Sequence, residues 1–235
     1  MENIKGIIFD YGGTIDCFGD HWAVVIREAY GQIPALDLPL DDFIDAYIFA
    51  ERELARTRHI LPHHNFLDML RIKARIELGY LADHSMVDPA DIAEYAEKIA
   101  RYCYSVARRS VDAARPVLDY LRQRYPMVLV TNFYGNIQAV LDDFGLSEYF
   151  PTIIESAVVG IRKPDPRIFS LGVEALGLQP AQVLVVGDSL SKDIVPAESI
   201  GCRTAWISGR PWFRDTEAKS HPNTISNLDE LTLLY

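Results

Sequence analysis

Short apolar runs alternate with amphipathic stretches over most of this chain, and that alternation narrows the folds open to its 235 residues. Residues 4–9, 127–130, 153–154, 183–186 and 203–207 read as strands, because each is short, apolar and rich in β-branched side chains. Between them lie helical patterns at 117–124, 137–144, 166–176 and 193–200. Three of these are closed by Gly145, Gly177 and Gly201, and Asp165-Pro166 opens the third. Strands with no polar face need cover on both sides. The fold class is therefore α/β, a doubly wound parallel sheet with helices on both faces.

One stretch breaks the rhythm. From about residue 20 to 110 the apolar residues recur at helical spacings, as in Trp22, Val25, Ile26 and Ala29, with no strand signal. Breaks at 62–65 and 83–89 divide the stretch into about four helices. The expected organisation is an α/β core of residues 1–16 and 111–235, interrupted after its first strand by an all-helical insert of residues 17–110. The polar tail at 216–223 reads as a loop.

The charge balance excludes some partners. A net charge of −10 with no lysine- or arginine-rich block would repel nucleic acid and anionic membrane. No apolar run reaches the roughly 20 residues that cross a bilayer. Cys17, Cys103 and Cys202 are scattered and fit neither a metal spacing nor a disulfide framework. Reduced thiols and no leader-like N-terminus lead us to expect a cytoplasmic protein.

Ligands of doubly wound sheets bind beyond the carboxyl ends of the strands. Asp10 ends the first apolar run and is followed by Gly12-Gly13-Thr14. Thr131-Asn132 ends the second, and Gly187-Asp188-Ser189 ends residues 183–186. Lys163-Pro164 precedes a helix. A carboxylate beside a cation can attack phosphorus and form an acyl phosphate. Lys163 supplies the ammonium, while Asp10 and Asp188 are hard oxygen ligands suited to Mg²⁺. Thr131 and the amides of Gly12 and Gly13 can donate to phosphoryl oxygens.

These four segments, in this order, resemble the four motifs of the haloacid dehalogenase-like (HAD) hydrolases, in particular their phosphatases. The likeness spans the α/β portion, and the insert is similar to the family's first type of cap domain. It implies Asp10 as nucleophile, with Lys163 holding both it and the phosphoryl group. Gly12, Gly13, Thr131, Asn132 and Lys163 would bind substrate. Mg²⁺ would rest on Asp10, the Gly12 carbonyl and Asp188, with Asp193 orienting the metal's waters or Lys163.

The first motif departs from the family at one position. The phosphatases carry Asp two residues after the nucleophile, as general acid and base, and this chain has Gly12. Four explanations stand: a leaving group that needs no proton, a substitute group on the cap, chemistry other than ester hydrolysis, or binding with little turnover. His21, His63 and His64 are the cap candidates for a substitute. Lys73 and Lys98 are the cap lysines that a phosphonate-cleaving relative would need for an imine. Tyr11 should point away from Asp10 by strand alternation, and Asp16 reads as a hinge or helix-capping residue. Trp206 and Trp212 read as core or oligomer contacts.

The expected function is Mg²⁺-dependent hydrolysis of a small phosphorylated metabolite through an aspartyl-phosphate at Asp10. The alternatives are a phospho-ligand-binding, weakly active protein and a phosphonate-cleaving relative.

Overall fold

The computed structural model describes residues 3–214 and 220–234. Among them, six parallel strands run β1 (Gly6–Phe9), β2 (Met127–Thr131), β3 (Thr152–Glu155), β4 (Val183–Gly187), β5 (Arg203–Ile207) and β6 (Thr224–Ile225). Their order across the sheet is β3-β2-β1-β4-β5-β6. The helices are α1 (Trp22–Gly31), α2 (Leu40–Arg56), α3 (Phe66–Asp83), α4 (Ile92–Arg122), α5 (Ile137–Phe144), α6 (Ser156–Val159), α7 (Arg167–Leu176), α8 (Val195–Ser199) and α9 (Leu231–Leu234).

Strand alternation explains why these strands are apolar throughout. Ile7, Phe9, Leu129, Leu184 and Val186 join one buried layer, with Leu118 and Leu121 of α4 and Leu141 of α5. Ile8, Val128, Val130, Val183 and Val185 join the other, with Ile168 and Phe169 of α7 and Ala197 of α8. Successive side chains leave opposite faces of a strand, so a sheet covered twice needs both sets apolar. Central β1 is flanked by β2 and β4, with Ile8 level with Val128 and Val185. The chain leaves β1 toward the β3 edge and β4 toward the β6 edge, and this reversal opens a crevice at their carboxyl ends.

The insert is made of α1, α2, α3 and most of α4, with breaks near residues 62–65 and 83–89. One expectation fails. Separate helices at the end of the insert and the start of the core are in fact a single helix, α4, so the 110/111 boundary falls inside it. The apolar stripe continues through that point as Val106, Ala107, Val111, Ala114 and Val117. Ser110 does not end the helix. Its Oγ donates to the Ile15 carbonyl at 2.8 Å and accepts from the Phe18 amide at 3.0 Å. It thereby fastens the outgoing hinge to the returning one. Pro116 sits within α4, where it removes one intrahelical hydrogen bond without ending the helix.

Two further differences lie beyond β4. Residues 193–200 are not one helix. A wide turn over Leu190–Ile194, closed by the Ile194 amide on the Ser189 carbonyl at 3.2 Å, precedes the short α8. In the expected 216–223 loop, residues 216–219 lie outside the described residues. Residues 220–223 lead into β6, whose two residues are too few to show a period.

The segment after β5 returns to the insert. Arg210 donates to both Asp20 oxygens, at 2.7 Å from its amide and 2.6 Å from its guanidinium, and it also pairs with Glu28. Trp212 packs on His21 and Tyr47 with centroids 5.0 and 5.3 Å apart, and Phe213 packs on Phe43 at 6.0 Å.

Candidate active site

Asp10 leaves the end of β1 and its amide donates to the Val186 carbonyl of β4 at 2.9 Å. Lys163 lies in the loop before α7. Asn132, just past β2, holds that loop on both sides: its Nδ2 donates to the Lys163 carbonyl at 3.1 Å and its Oδ1 accepts from the Lys163 amide at 3.0 Å. The buried ammonium donates to Asp10 Oδ1 and to Asp193 Oδ1, both at 2.6 Å. Asp193 accepts from the Ser189 amide at 3.1 Å through its other oxygen. Thr14 Oγ1 reaches Asp10 Oδ2 at 3.2 Å and Asp188 Oδ1 at 3.5 Å. The ends of β1, β2 and β4 thus converge with the loop before α7.

The electrostatics are crowded. Asp10, Asp188 and Asp193 each bring a carboxylate oxygen within 4.8 Å of the others. Burial raises the Asp10 pKa to about 6, with Asp193 adding to it and Lys163 opposing. Burial, Asp193 and Asp10 also push Asp188 well above the ordinary carboxylate range. Burial works against the charge on Lys163, but Asp10 and Asp193 outweigh it and hold the ammonium protonated.

A cavity of about 240 Å³ opens onto these groups, lined by core and insert together. Asp10, Gly12, Gly13, Thr131, Asn132, Lys163, Asp188 and Asp193 all line it, so every site residue expected from the sequence meets at one place. Two roles change on inspection. The Gly13 amide donates to Asp16 Oδ1 at 2.7 Å, so it is committed within the loop and is not offered to a phosphoryl group. Asn132 is committed to the Lys163 loop as described. Gly13 has φ +94°, and a Cβ there would lie 2.4 Å from Asp188 Oδ2, so a side chain would expel Asp188.

Gly12 is different. It has no left-handed backbone, and a Cβ built on it meets nothing within 4 Å. The space for the missing carboxylate is open.

Several insert residues sort themselves. His21 lines the cavity, whereas His63 and His64 do not. His21 rather than Asp16 caps α1, through Nδ1 accepting from the Ala23 amide at 3.2 Å. Tyr11 turns into the core, edge-on to Phe66 and Phe133. Trp206 is buried and Trp212 packs against the core, as their reading as core contacts has it; both also line the cavity, and Trp206 Nε1 donates to the Asp188 carbonyl at 2.7 Å. Lys73 lines the cavity, while Lys98 is exposed and pairs with Glu94. Glu51, Tyr47 and Tyr134 also line it and had no local sequence signal.

Asp16 is wholly buried, and both its oxygens accept from the Trp22 indole at 3.1 Å. Burial raises its pKa from 3.8 to about 7, against the hydrogen bonds from Gly13 and Trp22. A raised folded pKa means that stability present below the unfolded value is lost as pH climbs through the folded value. Asp16→Asn retains an acceptor oxygen and removes the charge. The variant should melt near the parent at pH 4 and above it at pH 8, by up to about 4 kcal/mol. Thermal melts of both proteins at the two pH values check this.

Comparison with known proteins agrees with this fold. A sequence profile described as haloacid dehalogenase-like hydrolase matches residues 4–201. The chain belongs to this hydrolase family. A glyceraldehyde 3-phosphate phosphatase from Pyrococcus abyssi (strain GE5 / Orsay) is 30% identical over 213 residues, 87% of this chain and 81% of the relative. Among solved structures, a magnesium-bound HAD-hydrolase, YfnB from Bacillus subtilis, covers 99% of both chains at 21% identity with TM-score 0.62. A dehalogenase covers 100% of this chain and 98% of its own at 16% identity with TM-score 0.64. At these identities the two structures bear on the fold alone. No helix among the described residues is long and apolar enough to cross a membrane.

Proposed function

We propose that this chain is a Mg²⁺-dependent phosphatase of small cytoplasmic metabolites, working through an aspartyl-phosphate at Asp10 beneath a helical cap of residues 17–110. The observation that carries the reading is Lys163, bridging Asp10 and Asp193 at 2.6 Å each beside Asp188. The 30% identity to a phosphatase over most of both chains supports it.

Magnesium fits the residues present. Three clustered carboxylates share one ammonium, which leaves negative charge uncompensated, and every donor is an oxygen. Asp10, the Gly12 carbonyl and Asp188 would hold the ion, with Asp193 fixing Lys163. When bound, it neutralises phosphoryl charge and orients the reacting groups. An Asp10 carboxylate oxygen attacks phosphorus, the bond to the leaving oxygen breaks, and the leaving group departs with the electron pair. Lys163 and the Thr131 hydroxyl hold the phosphoryl oxygens. Water then attacks phosphorus, releasing phosphate and regenerating the carboxylate.

Phosphate release from acetyl phosphate and p-nitrophenyl phosphate, with and without Mg²⁺, tests the reading. Phosphate binding without turnover of either substrate would favour the ligand-binding alternative. Titration calorimetry should detect one Mg²⁺ per chain, weakened at least about tenfold in Asp188→Asn. A parent that binds no Mg²⁺, even with phosphate present, would remove the metal from the scheme.

The phosphonate-cleaving reading gains one observation and loses another. Lys73 does line the cavity. Burial opposes its charge, but Glu51 and Tyr47 outweigh it and hold the ammonium well above its ordinary range. An imine requires the neutral amine, so the phosphatase reading is kept.

A further inference from the structure

The phosphatase reading leaves Glu51, in the cavity wall, without a role. It lies on α2, in the cap-side wall. Its Oε1 is bonded by the Lys73 ammonium and by the Tyr134 hydroxyl at 3.3 Å, the second a tie from core to cap. Burial opposes the charge on Glu51, but Lys73 and Tyr134 outweigh it and hold the carboxyl below its ordinary range. Oε2 takes no hydrogen bond from any described residue, and it is not among the enclosed, unpartnered atoms. Oε2 is therefore an ionised acceptor open to the cavity, where a substrate donor can replace the water it meets. In the same wall Trp22, Phe66, Met69 and Leu70 are largely apolar, and His21, Tyr47 and Lys73 are its other polar side chains.

Resting on the phosphatase reading, we infer that Glu51 determines specificity, by accepting hydrogen bonds from hydroxyl groups on the leaving portion of a compact hydroxyl-bearing phosphate whose leaving oxygen departs without a proton, such as an acyl phosphate. Size supports the word compact. About 240 Å³ is below the roughly 300–1,000 Å³ of sites that enclose drug-sized ligands, and the phosphoryl group takes a share. Charge selects hydroxyl over ammonium. Lys73 already sits on Glu51 and lies 4.2 Å from the centroid of the Tyr47 ring, and Arg162 and Lys192 line the same cavity. A substrate ammonium reaching Oε2 would meet these cations, whereas a neutral hydroxyl donates without repulsion.

Binding to the Asp10→Asn protein with Mg²⁺, measured by calorimetry, tests this without turnover. Glycerol 3-phosphate, propyl phosphate and phosphoethanolamine are the probes. Glycerol 3-phosphate should bind about tenfold or more tighter than propyl phosphate, the range of a hydrogen bond to a charged group. Phosphoethanolamine should bind no tighter than propyl phosphate. Adding Glu51→Gln should bring the first ratio to within about threefold. The comparison without that second substitution stands alone should the double variant fail to fold. Equal binding of glycerol and propyl phosphates overturns the role of Glu51 and leaves the phosphatase reading in place. Tightest binding of phosphoethanolamine overturns the choice of hydroxyl. With Mg²⁺ first shown by calorimetry to bind the Asp10→Asn protein, binding of none of the three overturns the phosphatase reading and this inference with it.

Discussion

Asp10→Asn should abolish phosphate release from every substrate while leaving the melting temperature nearly unchanged. The amide has the shape of the carboxylate but lacks the oxyanion that attacks phosphorus. Packing should hold, because the Asp10 amide bond to Val186 is backbone and Lys163 keeps its second partner, Asp193. The charge itself is a burden in the fold, since burial raises the Asp10 pKa to about 6. Removing it relieves that burden but takes one of two carboxylates from the buried Lys163 ammonium, and the two effects oppose. Steady-state assays and thermal melts on parent and variant decide the matter. Activity above one-tenth of the parent would mean that the nucleophile lies elsewhere.

The α/β layers were legible because both faces of each strand are buried. Runs such as residues 127–130 and 183–186 have no polar position to confuse the reading. The site was legible because strand ends converge, so residues as distant as Asp10, Lys163 and Asp188 could be placed together before any coordinates. What the sequence concealed was of another kind. The continuity of α4 through Ser110 was hidden, because the helical insert and the first core helix read as separate patterns on either side of residue 110. In the fold that serine turns inward to bind the hinge. The commitment of the Gly13 amide to Asp16 depends on one turn's geometry. Glu51, Lys73 and Trp212 reach the cavity through the angle at which the cap and the segment after β5 meet it. That angle is set by packing among aromatic side chains, such as Trp212 on Tyr47, and leaves no periodic trace.

Gly12 creates the second large expected effect, an unusually steep dependence of rate on the leaving group. No carboxyl at position 12 can protonate the departing oxygen, so it leaves as an anion and its basicity enters the rate directly. Acetyl phosphate and p-nitrophenyl phosphate should react, and alkyl phosphates far more slowly. Water must attack the aspartyl-phosphate without a base, so that intermediate should accumulate and be trapped by acid quench. Gly12→Asp should then accelerate alkyl phosphate hydrolysis by ~10²–10⁴-fold, the usual scale of general acid–base help. A left-handed backbone at Gly12 would have limited the gain. The backbone there is ordinary, and a Cβ meets nothing within 4 Å, so the new side chain enters open space. Rates for a series of phosphate esters, parent against variant, give the two slopes. If the parent already hydrolyses alkyl phosphates at ordinary phosphatase rates, another group supplies the proton. His21 would then be mutated first, because it lines the cavity and His63 and His64 do not.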